Sequence, residues 1–92
     1  MENQLLITGT VKEICQPEQF TKRDGSRGYN NNIIVTYGDG QYPEHICINV
    51  QDNNMLKDIQ VGATETFHIK VWSNYYQQGN KWFNQIKLIN II

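Results

Sequence analysis

Ninety-two residues bound the chain to a single small domain with one modest core, and a domain of that size buries only about 60–65% of its unfolded surface, which makes self-association an expectation. Eight basic against nine acidic side chains leave a net charge of -1, which excludes a uniformly basic nucleic-acid binder but not one that works through local patches. Twelve isoleucines and five valines against four leucines and one alanine exclude an all-helical protein, because β-branched side chains suit a pleated surface and Ala and Leu suit a helix.

The opening MENQLLITG has no basic region ahead of a long apolar stretch, so no secretory signal is expected. No run of about 20 apolar residues follows, so no membrane-spanning helix is expected either. Cys15 and Cys47 are too few for a secreted disulfide scaffold. These features together predict a cytoplasmic protein.

The first strand is predicted over Leu5 to Ile14, with Gly9 marking a bulge or a sharp bend. Residues 15–28 contain a Pro, two Gly and the Asp24-Gly25 turn dipeptide, and read as a long loop or a two-strand tip. A second strand is predicted over Tyr29 to Tyr37 and a turn over 38–41. A third follows over Tyr42 to Val50, with Ile46, Ile48 and Val50 inward and His45, Cys47 and Asn49 outward. Residues 52–60 break the period of two. Asp52 is a candidate N-cap, Met55, Leu56 and Ile59 fall at helical spacing, and Gly62 is a candidate left-handed C-cap.

Phe67, Ile69 and Val71 alternate with His68, Lys70 and Trp72, which predicts a fourth strand with the first set inward. A turn over 77–80 leads to a last strand over Lys81 to Ile91, with Ile86 and Leu88 as core candidates. Two stretches, Ile33-Ile34-Val35 and Ile89-Asn90-Ile91-Ile92, are apolar on both faces and leave the buried parity open. The order is all-β, five strands with one short helix between strands 3 and 4. That is the connectivity of the five-stranded OB-fold barrel. A small SH3-like barrel lacks the helix, and a ferredoxin-like fold needs two longer ones.

Charge and aromatic residues are unevenly spread. Residues 1–60 carry five basic and eight acidic groups, whereas residues 61–92 carry Lys70, Lys81 and Lys87 against Glu65 alone. Lys22, Arg23 and Arg27 face only Asp24 within 20–29. Rings interleaved with cations are what a single-strand binder needs, since bases stack on the rings and the cations track the phosphates. The first loop offers Phe20, Lys22, Arg23, Arg27 and Tyr29. The second offers Trp72, Tyr75, Tyr76, Lys81 and Trp82, with Lys70 and Lys87 beside them.

Each of these residues has a plainer reading too. Trp72 stacks on a base, lies in a protein interface, or is covered by the loop. Trp82 is a platform or a core residue. Tyr75 and Tyr76 stack on bases or staple the hairpin, and the loop cations contact phosphate or are merely solvated. His45 and Cys47 share an outward strand face, but a structural zinc site wants four ligands, so no metal or other cofactor is expected. There is no nucleophile elbow and no phosphate-binding glycine loop, so no enzyme activity is expected.

Four segments carry a resemblance. They are Leu6-Ile7-Thr8-Gly9-Thr10-Val11, Gln41-Tyr42-Pro43 with Ile46-Cys47-Ile48, Leu56-Lys57 leading to Val61-Gly62, and Tyr76 with a glycine turn, Lys81-Trp82-Phe83 and Ile86. The first looks like the opening strand of bacterial single-stranded-DNA-binding and primosomal OB proteins. Taken together, the chain resembles a family of short single-OB bacterial and phage proteins, a domain of unknown function related to single-stranded-DNA-binding proteins. Asn30, Asn31 and Asn32 stand where basic residues would be expected. The acidic glycine-rich tail of the longer proteins has no counterpart here, so recruitment of partners through such a tail is not implied.

The expectation is a non-enzymatic binder of single-stranded DNA, or of RNA, with low sequence specificity. It would act in replication or recombination, alongside the proteins of those processes, as a homodimer or homotetramer. The rival is an OB-type interaction module that docks a protein partner without nucleic acid. An oligosaccharide-binding OB domain is a third reading, kept alive by 20 Asn and Gln residues.

Overall fold

The computed structural model describes residues 5–38 and 40–92; Asp39, in the expected 38–41 turn, lies outside them. Among the described residues, seven strands and one helix follow in chain order: β1 (Leu5–Ile14), β2 (Glu18–Thr21), β3 (Arg27–Asn30), β4 (Asn32–Tyr37), β5 (Glu44–Asn49), α1 (Asn53–Asp58), β6 (Thr64–Tyr76) and β7 (Lys81–Ile91). Five of the strands close a barrel in the order β1-β4-β5-β7-β6, and β2 and β3 form a separate ribbon. No helix is long and apolar enough to cross a membrane among the described residues.

The helix was expected between strands 3 and 4. It lies instead after the fifth strand in the chain, β5. Of the two forms expected for residues 15–28, the two-strand tip is the one found, with Glu18 opposite Asn30 and Thr21 opposite Arg27. The single strand expected over Tyr29 to Tyr37 breaks at Asn31, so its first residues belong to the ribbon and the rest to the barrel.

Asp52 caps α1 by accepting a hydrogen bond from the Asn54 N–H at 2.8 Å, which satisfies one of the donors a helix start leaves unpaired. The helix stops earlier than expected. Ile59 is already extended and closes it by donating its N–H to the Leu56 carbonyl. Gly62 is therefore not the C-cap. Its φ of 92° serves the following turn, where its N–H donates to the Val11 carbonyl at 2.8 Å.

The core is Val11, Ile33, Val35, Ile48, Val50, Ile59, Phe67, Ile69 and Leu88, with Met55 and Leu56 of α1 packed against it. Two bulges set which residues reach it. In β1 the register against β4 slips between Val11 and Glu13, which makes Lys12 the extra residue. In the β6–β7 pair it slips between His68 and Ile69, which makes Ile89 the extra residue. Leu88 and Ile91 can then both point inward, and Ile89 is left exposed. The same burial fixes β4, where Ile33 and Val35 are inside and Ile34 is outside.

Gly9 does not carry the β1 bulge. It sits where β1 crosses β4 so closely that a Cβ would lie 2.5 Å from the Thr36 carbonyl oxygen and 2.7 Å from Val35 Cγ1. Glycine permits that approach. On its other side β1 is tied to β6 by hydroxyls, Thr8 to Thr66 at 2.8 Å and Thr10 to Thr64 at 2.7 Å.

Candidate nucleic-acid interface

β6 and β7 outrun the barrel. Among the described residues, beyond Val71 and Ile86 they pair only with each other, as a hairpin closed by the turn at 77–80. Val71, expected in the core, is exposed for that reason. From Ile69–Leu88 to Tyr76–Lys81 the register runs without a slip. Opposed residues of an antiparallel pair share a face and neighbours alternate, so every side chain of the hairpin is assigned.

One face carries Lys70, Trp72, Asn74 and Tyr76 from β6 and Lys81, Phe83, Gln85 and Lys87 from β7. Three lysines and three rings therefore share one surface, with lysines at both of its ends. The Lys70 ammonium lies 5.5 Å from the Trp72 ring centroid, a cation–π contact. Tyr76 and Phe83 meet edge to face with centroids 5.1 Å apart.

The other face carries Val71, Ser73 and Tyr75 opposite Ile86, Asn84 and Trp82. Its barrel end joins the core through Ile86. At its far end Tyr75 and Trp82 pack at 5.0 Å, and Tyr75 donates its hydroxyl to Asn80 Oδ1. Trp82 is 68% exposed, so it is not a core residue.

The lysine-and-ring face continues onto the outside of the barrel, since Lys87 of β7 pairs with Asn49 of β5 in parallel. A cleft opens there. Trp72 and Gln85 form one wall, and Asn32, His45, Cys47 and Asn49 form the other. His45 Nδ1 and Thr36 Oγ1 hydrogen-bond at 3.0 Å. Burial, and then the charges of Cys15 and Glu18, push the Cys47 thiol up from its ordinary pKa. Among the described residues no three His, Cys, Asp or Glu side chains converge as metal ligands.

The β2–β3 ribbon forms the second wing. Its tip is a turn in which Asp24 Oδ1 accepts from the Ser26 N–H at 2.9 Å and from the Ser26 hydroxyl at 2.6 Å. Those bonds, the hydroxyl's first, hold the Asp24 carboxyl below its usual pKa. Gly28 is buried under the Phe20 ring and the Lys22 chain, with no room for a Cβ. Lys22, Arg27 and Tyr29 line a groove between this ribbon and the start of α1, and Gln51 lines both that groove and the cleft. Arg23 projects from the turn and lines neither.

Of the residues singled out from sequence, Lys70, Trp72, Tyr76, Lys81 and Lys87 share one face. Lys22, Arg27 and Tyr29 share the adjoining groove. Tyr75 and Trp82 are on the reverse of the hairpin. Sequence reasoning missed Phe83, whose strand parity with Lys81 would have revealed it. It also missed the amide pair Asn32 and Asn49, which only strand register brings together.

This surface belongs to a recognised domain type. The family model described as Domain of unknown function (DUF3127) matches residues 6–92. The chain belongs to the DUF3127 family. No curated protein matches it in sequence. Its fold is similar to that of the mitochondrial single-stranded DNA binding protein Rim1 of S. cerevisiae, with a TM-score of 0.61 at 11% identity over 98% of this chain and 92% of that one. A second crystal form of Rim1 gives 0.56 at 10% identity, covering 100% and 95%. A small single-stranded DNA binding protein from Mycoplasma pneumoniae gives 0.50 at 13% identity, covering 100% and 93%. At these identities the likeness is one of fold: this DUF3127 chain has the OB architecture of small single-stranded-DNA-binding proteins.

Proposed function

We propose that this chain is a non-enzymatic protein that binds single-stranded DNA with low sequence specificity, in replication or recombination, in the cytoplasm of a bacterial cell. The observation that carries this reading is the single face that Lys70, Trp72, Tyr76, Lys81, Phe83 and Lys87 share. Bases stack on its rings and phosphates lie along its lysines, a combination that tolerates any sequence because every base has a π-face. Lys22, Arg27 and Tyr29 extend the track past the cleft. Tyr75 and Trp82 stiffen the hairpin from behind.

Each protomer covers several nucleotides, and useful affinity comes from linking sites in a homodimer or homotetramer. Leu6, Ile14, Ile89 and Ile92, apolar and exposed, support such an assembly. The test is fluorescence anisotropy of a labelled poly-thymine oligonucleotide of about 30 bases at roughly 20 and 300 mM salt. Tight binding at low salt that weakens steeply at high salt is the expected result. Folded protein that fails to bind at low salt overturns the reading in favour of a protein-docking OB module.

A further inference from the structure

We infer that the cleft between β5 and the base of the β6–β7 hairpin is a subsite for one unpaired nucleobase, read on its hydrogen-bonding edge by Asn32 and Asn49. This rests on the proposed single-strand function and deepens it. None of the residues lining the cleft is Asp, Glu, Lys or Arg. It therefore offers no lysine or arginine to a phosphate, although lysines lie just beside it. Its lining is mostly amides, with one indole, an imidazole, a thiol and two isoleucines, which suits the uncharged part of a nucleotide.

The amides are held in a defined arrangement. Asn49 Nδ2 donates to Asn32 Oδ1 at 3.2 Å and to the Asn31 carbonyl at 3.4 Å. That uses both N–H groups of Asn49 and turns the Asn32 amide so that its own NH₂ is left over. No hydrogen bond among the described residues uses Asn32 Nδ2 or Asn49 Oδ1. One donor and one acceptor of the pair are thus free at a cleft that Trp72 also lines.

Every natural base carries a donor next to an acceptor on its Watson–Crick edge. In a single strand that edge is free while the ring stacks on an aromatic side chain. In a duplex it is already occupied. The pair therefore accepts any base but only an unpaired one. It adds selection of single over double strands without adding sequence preference.

The test compares a thymine 12-mer with the same oligomer built from 2,4-difluorotoluene nucleotides, which copy thymine's shape but lack its hydrogen-bonding edge. Both are titrated against the wild-type protein and against folded Asn32→Ala and Asn49→Ala variants. The wild type is expected to bind the thymine oligomer roughly tenfold more tightly, about the worth of one or two hydrogen bonds. The variants should narrow that gap. Asn32→Ala leaves the bond from Asn49 to the Asn31 carbonyl available and is the safer of the two for folding. Equal binding of both oligomers by the wild type overturns the subsite but leaves single-strand binding standing. A gap undiminished in both variants overturns its assignment to this amide pair. Failure to bind either oligomer overturns the proposed function, and the subsite with it.

Discussion

Tyr75 and Trp82 face each other across the β6–β7 hairpin with ring centroids 5.0 Å apart, on the side away from Trp72. Adjacent positions in the chain, Tyr75 and Tyr76, therefore do different things. Trp72→Ala or Tyr76→Ala should weaken oligonucleotide binding by about 1–3 kcal/mol, roughly 5- to 150-fold, the worth of one stacked base. Trp82→Ala should leave affinity within about twofold and lower hairpin stability by roughly 0.5–1.5 kcal/mol, the value of an aromatic pair. Anisotropy and thermal melts on the three variants separate the two faces. Equal losses of affinity at Trp72 and Trp82 would contradict the assignment.

The lysines make a quantitative demand on salt dependence. For single strands the slope of log affinity against log salt is about -0.7 per phosphate neutralised. With Lys22, Arg27, Lys70, Lys81 and Lys87 engaged, the slope should approach roughly -3.5 per protomer. Lys81→Ala should make it shallower by about 0.7. Arg23→Ala, at a residue that lines neither the groove nor the cleft, should leave it unchanged.

Gly9→Ala tests the closure of the barrel. Ala in a strand interior is ordinarily better than Gly by roughly 0.5–1 kcal/mol. Here the added Cβ would meet the Thr36 carbonyl oxygen at 2.5 Å, and backbone on both sides cannot yield cheaply. The contact decides the sign. Urea denaturation should show a net loss of about 1–3 kcal/mol, and an unchanged or raised midpoint would mean that the two strands part easily.

Cys47 offers a footprint of the cleft. Burial, with Cys15 and Glu18 adding to it, raises its pKa, so at a given pH the thiolate fraction is smaller than in an unfolded chain. In a Cys15→Ser variant, alkylation should need a higher pH than a cysteine peptide does, as followed by mass spectrometry. A bound oligonucleotide should slow it further, because Cys47 lines the cleft. Labelling that is indifferent to the oligonucleotide would remove the cleft from the binding surface.

Local pattern alone specifies much of this molecule. The alternation of Ile46, Ile48 and Val50 with His45, Cys47 and Asn49 predicts β5 and its outward face. Asp52 announces the helix start, and the concentration of rings and lysines after residue 70 announces a contact surface. These signals are legible because period, capping and composition act between near neighbours in the chain. The rest was decided between strands. The bulges at Lys12 and Ile89 change parity in midstrand, so a strict period of two carried on from Leu88 would put Asn90 inside in place of Ile91. Trp82 and Val71 are exposed because β6 and β7 run past the strands that would have covered them, and nothing in their own segment records where the barrel ends. The amides of Asn32 and Asn49 meet through the register of β4 against β5. That register, like the closure at Gly9, is set by the packing of one shared core. Only the folded chain therefore joins a ribbon, a hairpin and two asparagines into one surface.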